Sequence, residues 1–375
     1  VIKILFATLL SANAAIATFP PNGPFYIGPN TAQALLNIVS AFLGNGYSLM
    51  PSQNLFGDCS DGDVIISSGT TSLARDMFYN NLTLNGTGII SMQNQRIFVC
   101  GTLDLTAANS GAIDGSGTTG QSGTGAGAGG TAGGVTAAGT NIPNRAGGAG
   151  GAGGTTTGTQ GAAGTGGNVI TSSAGGAGGK GGNGTGGNGG ASRAAAAVIA
   201  FPMRDVIYTW FLPQTGAGGQ VYTGGSGPGG SGGGGDTVNS GGGGGGGGSS
   251  GATVYLAANI IKTSVSTVSA TISARGGPGG NGGSPAAGNT GGGGGGGGGA
   301  GGWIVIKYNS RIGPVVTNLV NALPGNFAGL NGFGGTGHGT GTNGSPGATG
   351  SNGLIQLLNV STGQSISNTT GLANL

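Results

Sequence analysis

The chain is 375 residues long, with 98 glycines, 5% charged residues and a formal net charge of +3. So few charges exclude the ordinary disordered linker, which joins low hydrophobicity to high charge, and they leave no basic patch for nucleic acid or anionic lipid. Collagen is excluded as well, because it needs glycine at every third position with abundant proline, and here 14 prolines accompany a broken period.

Residues 1–57 form an N-terminal attachment or assembly segment in this reading. Lys3, the apolar residues 4–10 and the small residues Ala15 and Ala17 have the pattern of a secretory signal, which is the alternative. Asn30 is placed to cap a helix through TAQALLNIVSAFL, with Gly44 just past its end.

Residues 58–114 read as a β domain. The segments DVIISS, MFYNNLTL, GIISM, RIFVCGTLDL and GAID are short and rich in β-branched or aromatic residues, with turn pairs such as Asn85 and Gly86 between them. Leu84 and Leu105, and Ile90 and Ile113, recur at a spacing of about twenty residues, which suits rungs of a β-helix or solenoid.

Residues 115–353 are a glycine-rich region with β insertions at 252–275 and 303–308, followed by a C-terminal strand and tail at 354–375. Ordering a glycine tract costs on the order of 1–2 kcal/mol per residue and buries no side chain. A three-residue period around Lys180 and over 276–284 matches the extended polyproline II conformation, which has no internal hydrogen bonds. Such helices gain stability only side by side, where backbones without Cβ atoms can bond to their neighbours. The expected fold is therefore mainly β: solenoid-like strands interleaved with polyglycine II helices packed as a sheaf, plus the short N-terminal helix.

Within the glycine region, residues 194–214 concentrate Phe201, Tyr208, Trp210 and Phe211. They read either as an exposed contact patch or as a packed plug or subunit contact. Asp58, Asp61 and Asp63 bring three carboxylates together as a weak candidate for a hard cation, and an acidic turn leading into a strand is the better reading. No metal and no cofactor are expected, since the Gly-x-Gly-x-x-Gly strings arise from composition and His338 has no second ligand type nearby. The chain is read as non-enzymatic; for glycan cleavage these aspartates, with Asp76 and Asp104, would be the only candidates. Cys59 and Cys100 flank the β segment, and a disulfide and two buried thiols both remain open.

The run DVIISSGTTSLARDMFYNNLTLNGTGIISMQNQRIFVCGT, followed by glycine tracts flanking YLAANII and WIVIKYN, resembles glycine-rich tail-fibre and appendage proteins of tailed bacteriophages. In composition the chain is also similar to the tip adhesins of T-even-like phages. The resemblance implies an extracellular virion component that is a homo-oligomer, with a trimer favoured, joined to tail or baseplate proteins through its N-terminal segment. It implies a bacterial surface receptor, a glycan or an outer-surface protein, and no nucleic-acid partner. By the same analogy the receptor-contact candidates are Phe201, Arg204, Tyr208, Trp210 and Phe211, with Asn141 and Arg145 in a second loop. A non-adhesive head-fibre or decoration protein, and a secreted bacterial glycine-rich filament protein, are the alternatives.

Overall fold

The computed structural model describes residues 55–93, 95–131, 152–153, 161–162, 230–236, 238–325 and 332–375. The chain divides into two compact units, residues 1–52 and 53–375, and the described residues all belong to the second. The expected helix at 31–43 lies outside them.

The described residues are mainly β. Long strands β1 (Gly62–Ile66), β3 (Met77–Asn85), β5 (Arg96–Ala107), β7 (Thr253–Lys262), β9 (Trp303–Ile312) and β11 (Leu354–Asn359) lie in that order in one sheet, all parallel. Short strands β2 (Thr70–Ser72), β4 (Ile89–Ser91), β6 (Ile113–Asp114), β8 (Ile272–Ser273) and β10 (Val320–Asn321) form a second parallel sheet in matching order. The chain thus alternates between sheets, one long strand and one short strand at a time. Residues 360–375, expected as a tail, instead form β12 (Ser365–Asn368) and β13 (Leu372–Ala373), which close the last edge of each sheet in antiparallel fashion.

Period-two alternation sets which side chains face inward. In register across the first sheet, Met77, Ile97, Leu256, Ile306 and Leu357 make one inner row. Ile90, Ile113, Ile272 and Val320 make the facing row of the second sheet. Both rows belong to a single apolar core. Slipping any strand by one residue would turn its whole row to solvent, so the core fixes the register.

The register shifts where β3 pairs with β5 and where β5 pairs with β7. Tyr79 and Leu82 therefore both reach the core, although they are three positions apart and a regular strand would turn them to opposite faces. The displaced Asn80 and Asn81 turn outward, where Asp63 accepts from both side-chain amides and Asn81 Oδ1 accepts from the Thr102 N–H. Ion pairs tie successive long strands together on the same outer face: Asp76 with Arg96, and Asp104 with Lys262 at 2.9 Å.

The glycine runs are ordered chiefly by backbone bonds between them. Residues 115–125, 276–284 and 332–337 lead away from the second sheet, and residues 241–252, 291–302 and 341–353 lead back into the first. The run 291–302 carries the pattern most fully. Gly292, Gly295, Gly298 and Gly301 donate to the carbonyls of Thr342, Ser345, Ala348 and Ser351; Gly293, Gly296, Gly299 and Gly302 donate to Gly283, Gly280, Gly277 and Ala274; Gly291 and Gly294 donate to Gly234 and Ser231. Every third residue addresses the same neighbour, so one run bonds on three sides. Outgoing runs keep the order of the strands they leave: Gly117, Gly120 and Gly123 donate to Arg275, Pro278 and Asn281, just as β6 pairs with β8.

Candidate contact surface at the ends of the glycine runs

Where an outgoing run reverses, a short loop must form, and three of these loops lie together: residues 236 and 238–240, 285–290 and 337–341. Glycine supplies no side chain to fix their shape, so the rare polar residues do it. Asp236 accepts at one oxygen from the backbone N–H groups of Val238 and Asn239, at 2.8 and 2.6 Å, and at the other from that of Asn289, at 2.7 Å. Asn289 in turn accepts through Oδ1 from the Thr340 N–H at 3.0 Å, and Asn343 Oδ1 accepts from the Gly337 N–H at 2.9 Å. His338 Nδ1 lies 2.8 Å from the Gly288 carbonyl. Each loop therefore positions the next through a side chain bonded to backbone.

These bonds hold the Asp236 carboxyl down to about 2, with the N–H of Asn289 as the largest cause and those of Val238 and Asn239 next. Such bonds favour the ionised form. A carboxylate with a depressed folded pKa stabilises the fold above its unfolded value near 4, and that contribution is lost as pH falls from about 4 through about 2. Above that window the loops keep their shape. Asp236→Ala is expected to accelerate amide hydrogen exchange at Val238, Asn239 and Asn289 at pH 7, leaving the core strands at wild-type protection. Unchanged exchange at all three amides would count against the loop-ordering role.

The loops present a small and mostly uncharged surface. Val238 is 70% exposed, and Ala286, Ala287, His338 and Thr340 also face solvent. The Asp236 carboxylate itself is turned into the loops and buried. A surface of this kind offers amide, hydroxyl and imidazole hydrogen-bonding groups beside small apolar ones.

The residues singled out in the sequence fall in different places. Phe201, Arg204, Tyr208, Trp210, Phe211, Asn141 and Arg145 all lie outside the described residues. Asp58 accepts from the Ser60 N–H at 3.1 Å, and hydrogen bonding from Ser60, the side chain first and then the N–H, lowers its pKa. Asp61 pairs with Arg75 and accepts from the Phe78 N–H at 2.6 Å; the Arg75 bond is the largest cause lowering its pKa. Asp63 is bonded to Asn80 and Asn81. The three carboxylates thus spend their oxygens on separate partners around a turn and the adjoining strand. Among the described residues, no group of three His, Cys, Asp or Glu side chains is arranged to hold a metal ion. Cys59 and Cys100 are joined by a disulfide, with their Cα atoms 5.7 Å apart.

Sequence reasoning passed over Asp236, Asn289 and Asn343. The available signal was modest: a carboxylate or amide interrupting a long glycine run, where a loop needs a local hydrogen-bond acceptor. No protein-family model, curated protein or solved structure matches the chain.

Proposed function

We propose that this chain is a structural component of a phage virion, of the tail-fibre or tail-tip kind, which contributes to host receptor binding. Its framework is a β-helix, and its glycine runs are polyglycine II helices packed as a sheaf. The observation that carries this reading is the run 291–302, which bonds to neighbours on three sides with a period of three residues. At about 3.1 Å per residue, nine residues of such a helix project roughly 28 Å. The sheaf is a stiff, nearly uncharged extension, and its loops are held at the end farthest along the runs from the strands.

The receptor class that suits this surface is a neutral glycan. Sugar hydroxyls pair with amide, hydroxyl and imidazole groups, while small side chains such as Val238 and Ala286 leave room for a bulky chain to lie flat. The aromatic segment containing Tyr208, Trp210 and Phe211 is a second contact candidate. The N-terminal segment is the side that joins the virion, and a homotrimer is the favoured assembly.

The test is saturable binding of the purified protein to intact cells of candidate hosts. A His338→Ala/Thr340→Ala variant and a Tyr208→Ala/Trp210→Ala/Phe211→Ala variant are compared with wild type after each is checked for unchanged folding. Loss of binding in either variant assigns the contact to that region. A protein that is present on particles but binds no strain, and whose antibodies leave infection unaffected, is a non-adhesive virion part.

A further inference from the structure

The chain does not come straight into its edge strand. Before β1 begins, residues 55–59 cross the outer face of the first sheet. Phe56 is 5% exposed and packs in a cluster with Tyr255 and Ala257 of β7 and Trp303 and Val305 of β9, with Leu55 and Phe98 alongside. Gly57, at φ +90°, lies so close to the stacked rings of Phe78 and Phe98 that a Cβ there would sit 2.8 Å from Phe98 Cβ and 2.9 Å from Phe78 Cδ1. Only glycine allows both the left-handed turn and the close approach. Two residues later Cys59 is bonded to Cys100 on β5. The first turns of the framework, β1 to β4, lie inside the loop that this bond closes.

This arrangement decides where a pull from the N-terminal side arrives. Without the bond, tension would reach β1 as soon as Phe56 left its cluster. That strand pairs on one side only, so its hydrogen bonds would break one after another as it peeled away. With the bond, tension passes from Cys59 to Cys100, in a strand paired on both sides, by β3 and by β7.

We propose that residues 55–59 and the Cys59–Cys100 disulfide form a strap that transfers mechanical load from the N-terminal side to an interior strand and shields the edge of the framework from peeling. The inference rests on the reading of the N-terminal segment as the side that joins the virion. The strap itself is a property of the isolated chain, so its test is independent of cell binding: a failed strap leaves the virion reading in place, and absence of the protein from particles leaves the strap intact but without that load.

The experiment is single-molecule stretching of the full chain between its termini, with and without a thiol reductant, beside a Cys59→Ser/Cys100→Ser variant confirmed to be folded. In the reduced protein, an early low-force step is expected that releases roughly 140 Å, from the 41-residue separation of the cysteines at about 3.4 Å per residue. The oxidised protein should lack that step. The variant should behave like the reduced wild type, which separates loss of the bond from side effects of substitution. If reduced wild type and variant instead release this length only with the main rupture and at an unchanged force, the strap bears no load and the proposal is wrong.

Discussion

Gly296→Ala is expected to destabilise the protein by about 4 kcal/mol, a large effect for the addition of one methyl group. The new Cβ would fall on the carbonyl oxygen of Gly246 and 2.6 Å from its carbonyl carbon. Neither backbone can yield by itself. Gly296 donates to Gly280 at 2.8 Å, Gly280 donates to Gly246 at 2.7 Å, and Gly246 donates to Gln121 at 2.8 Å. Relieving the clash must part three runs, adding a few lost hydrogen bonds at about 1 kcal/mol each to an overpacking cost of about 1–3 kcal/mol. Ser345→Ala, on the solvent-facing side of the run 341–353, should stay within about 0.5 kcal/mol of wild type. Denaturant titration of both variants checks the pair. Were the glycine runs flexible chain, the added methyl would restrict the folded and unfolded states alike, and Gly296→Ala would stay within about 0.5 kcal/mol of wild type.

The same geometry explains why glycine spacing differs among runs. Residues 291–299 are glycine throughout and bond on three sides, and at 292, 293, 295, 296 and 299 a Cβ would fall against a neighbouring carbonyl. In the run 341–353 glycine recurs at 344, 347, 350 and 353, while Thr342, Asn343, Ser345, Pro346, Ala348 and Thr349 face solvent. The repeat of glycine thus counts the packed sides of a run. A local period of three was legible over 276–284, yet the partner of each run was not, because backbone bonds leave no side-chain signature in either partner.

The β segments were more legible, since alternation of apolar residues is itself the record of a buried face. Ile90 and Ile113, paired by spacing in the sequence, are register partners in the second sheet. The two-residue strand β10 was missed because alternation cannot show in two residues, whereas β8 falls within the β insertion expected at 252–275. The Asp61 pairing was hidden for another reason: Arg75 lies 14 residues away and meets it only because β1 and β3 are neighbours. The loops at the ends of the runs were the least legible part, for there the fold depends on single residues such as Asp236 and Asn289 in a background that carries no pattern.

Leu256→Ala should lower stability by about 4 kcal/mol and loosen the glycine runs together with the strands. Leu256 is 0% exposed, between Ile97 and Ile306 in the inner row, so truncation leaves a cavity whose walls are held by parallel ladders on both sides. Leucine truncations in such cores cost about 2–5 kcal/mol. The effect on the runs follows from energetics. Ordering a residue costs about 1–2 kcal/mol, and a net backbone hydrogen bond returns only about 1 kcal/mol, so the glycine runs have little stability of their own. The apolar core supplies the surplus, and the runs are joined to it at the passages from β6 to β7, β8 to β9 and β10 to β11. Hydrogen exchange read at Gly246 and Gly296 and at Ile97 should therefore accelerate by similar factors in the variant. Faster exchange at Ile97 with unchanged protection at the two glycines would mean that the glycine runs stand without the core, and that their backbone bonds are worth more than this balance allows.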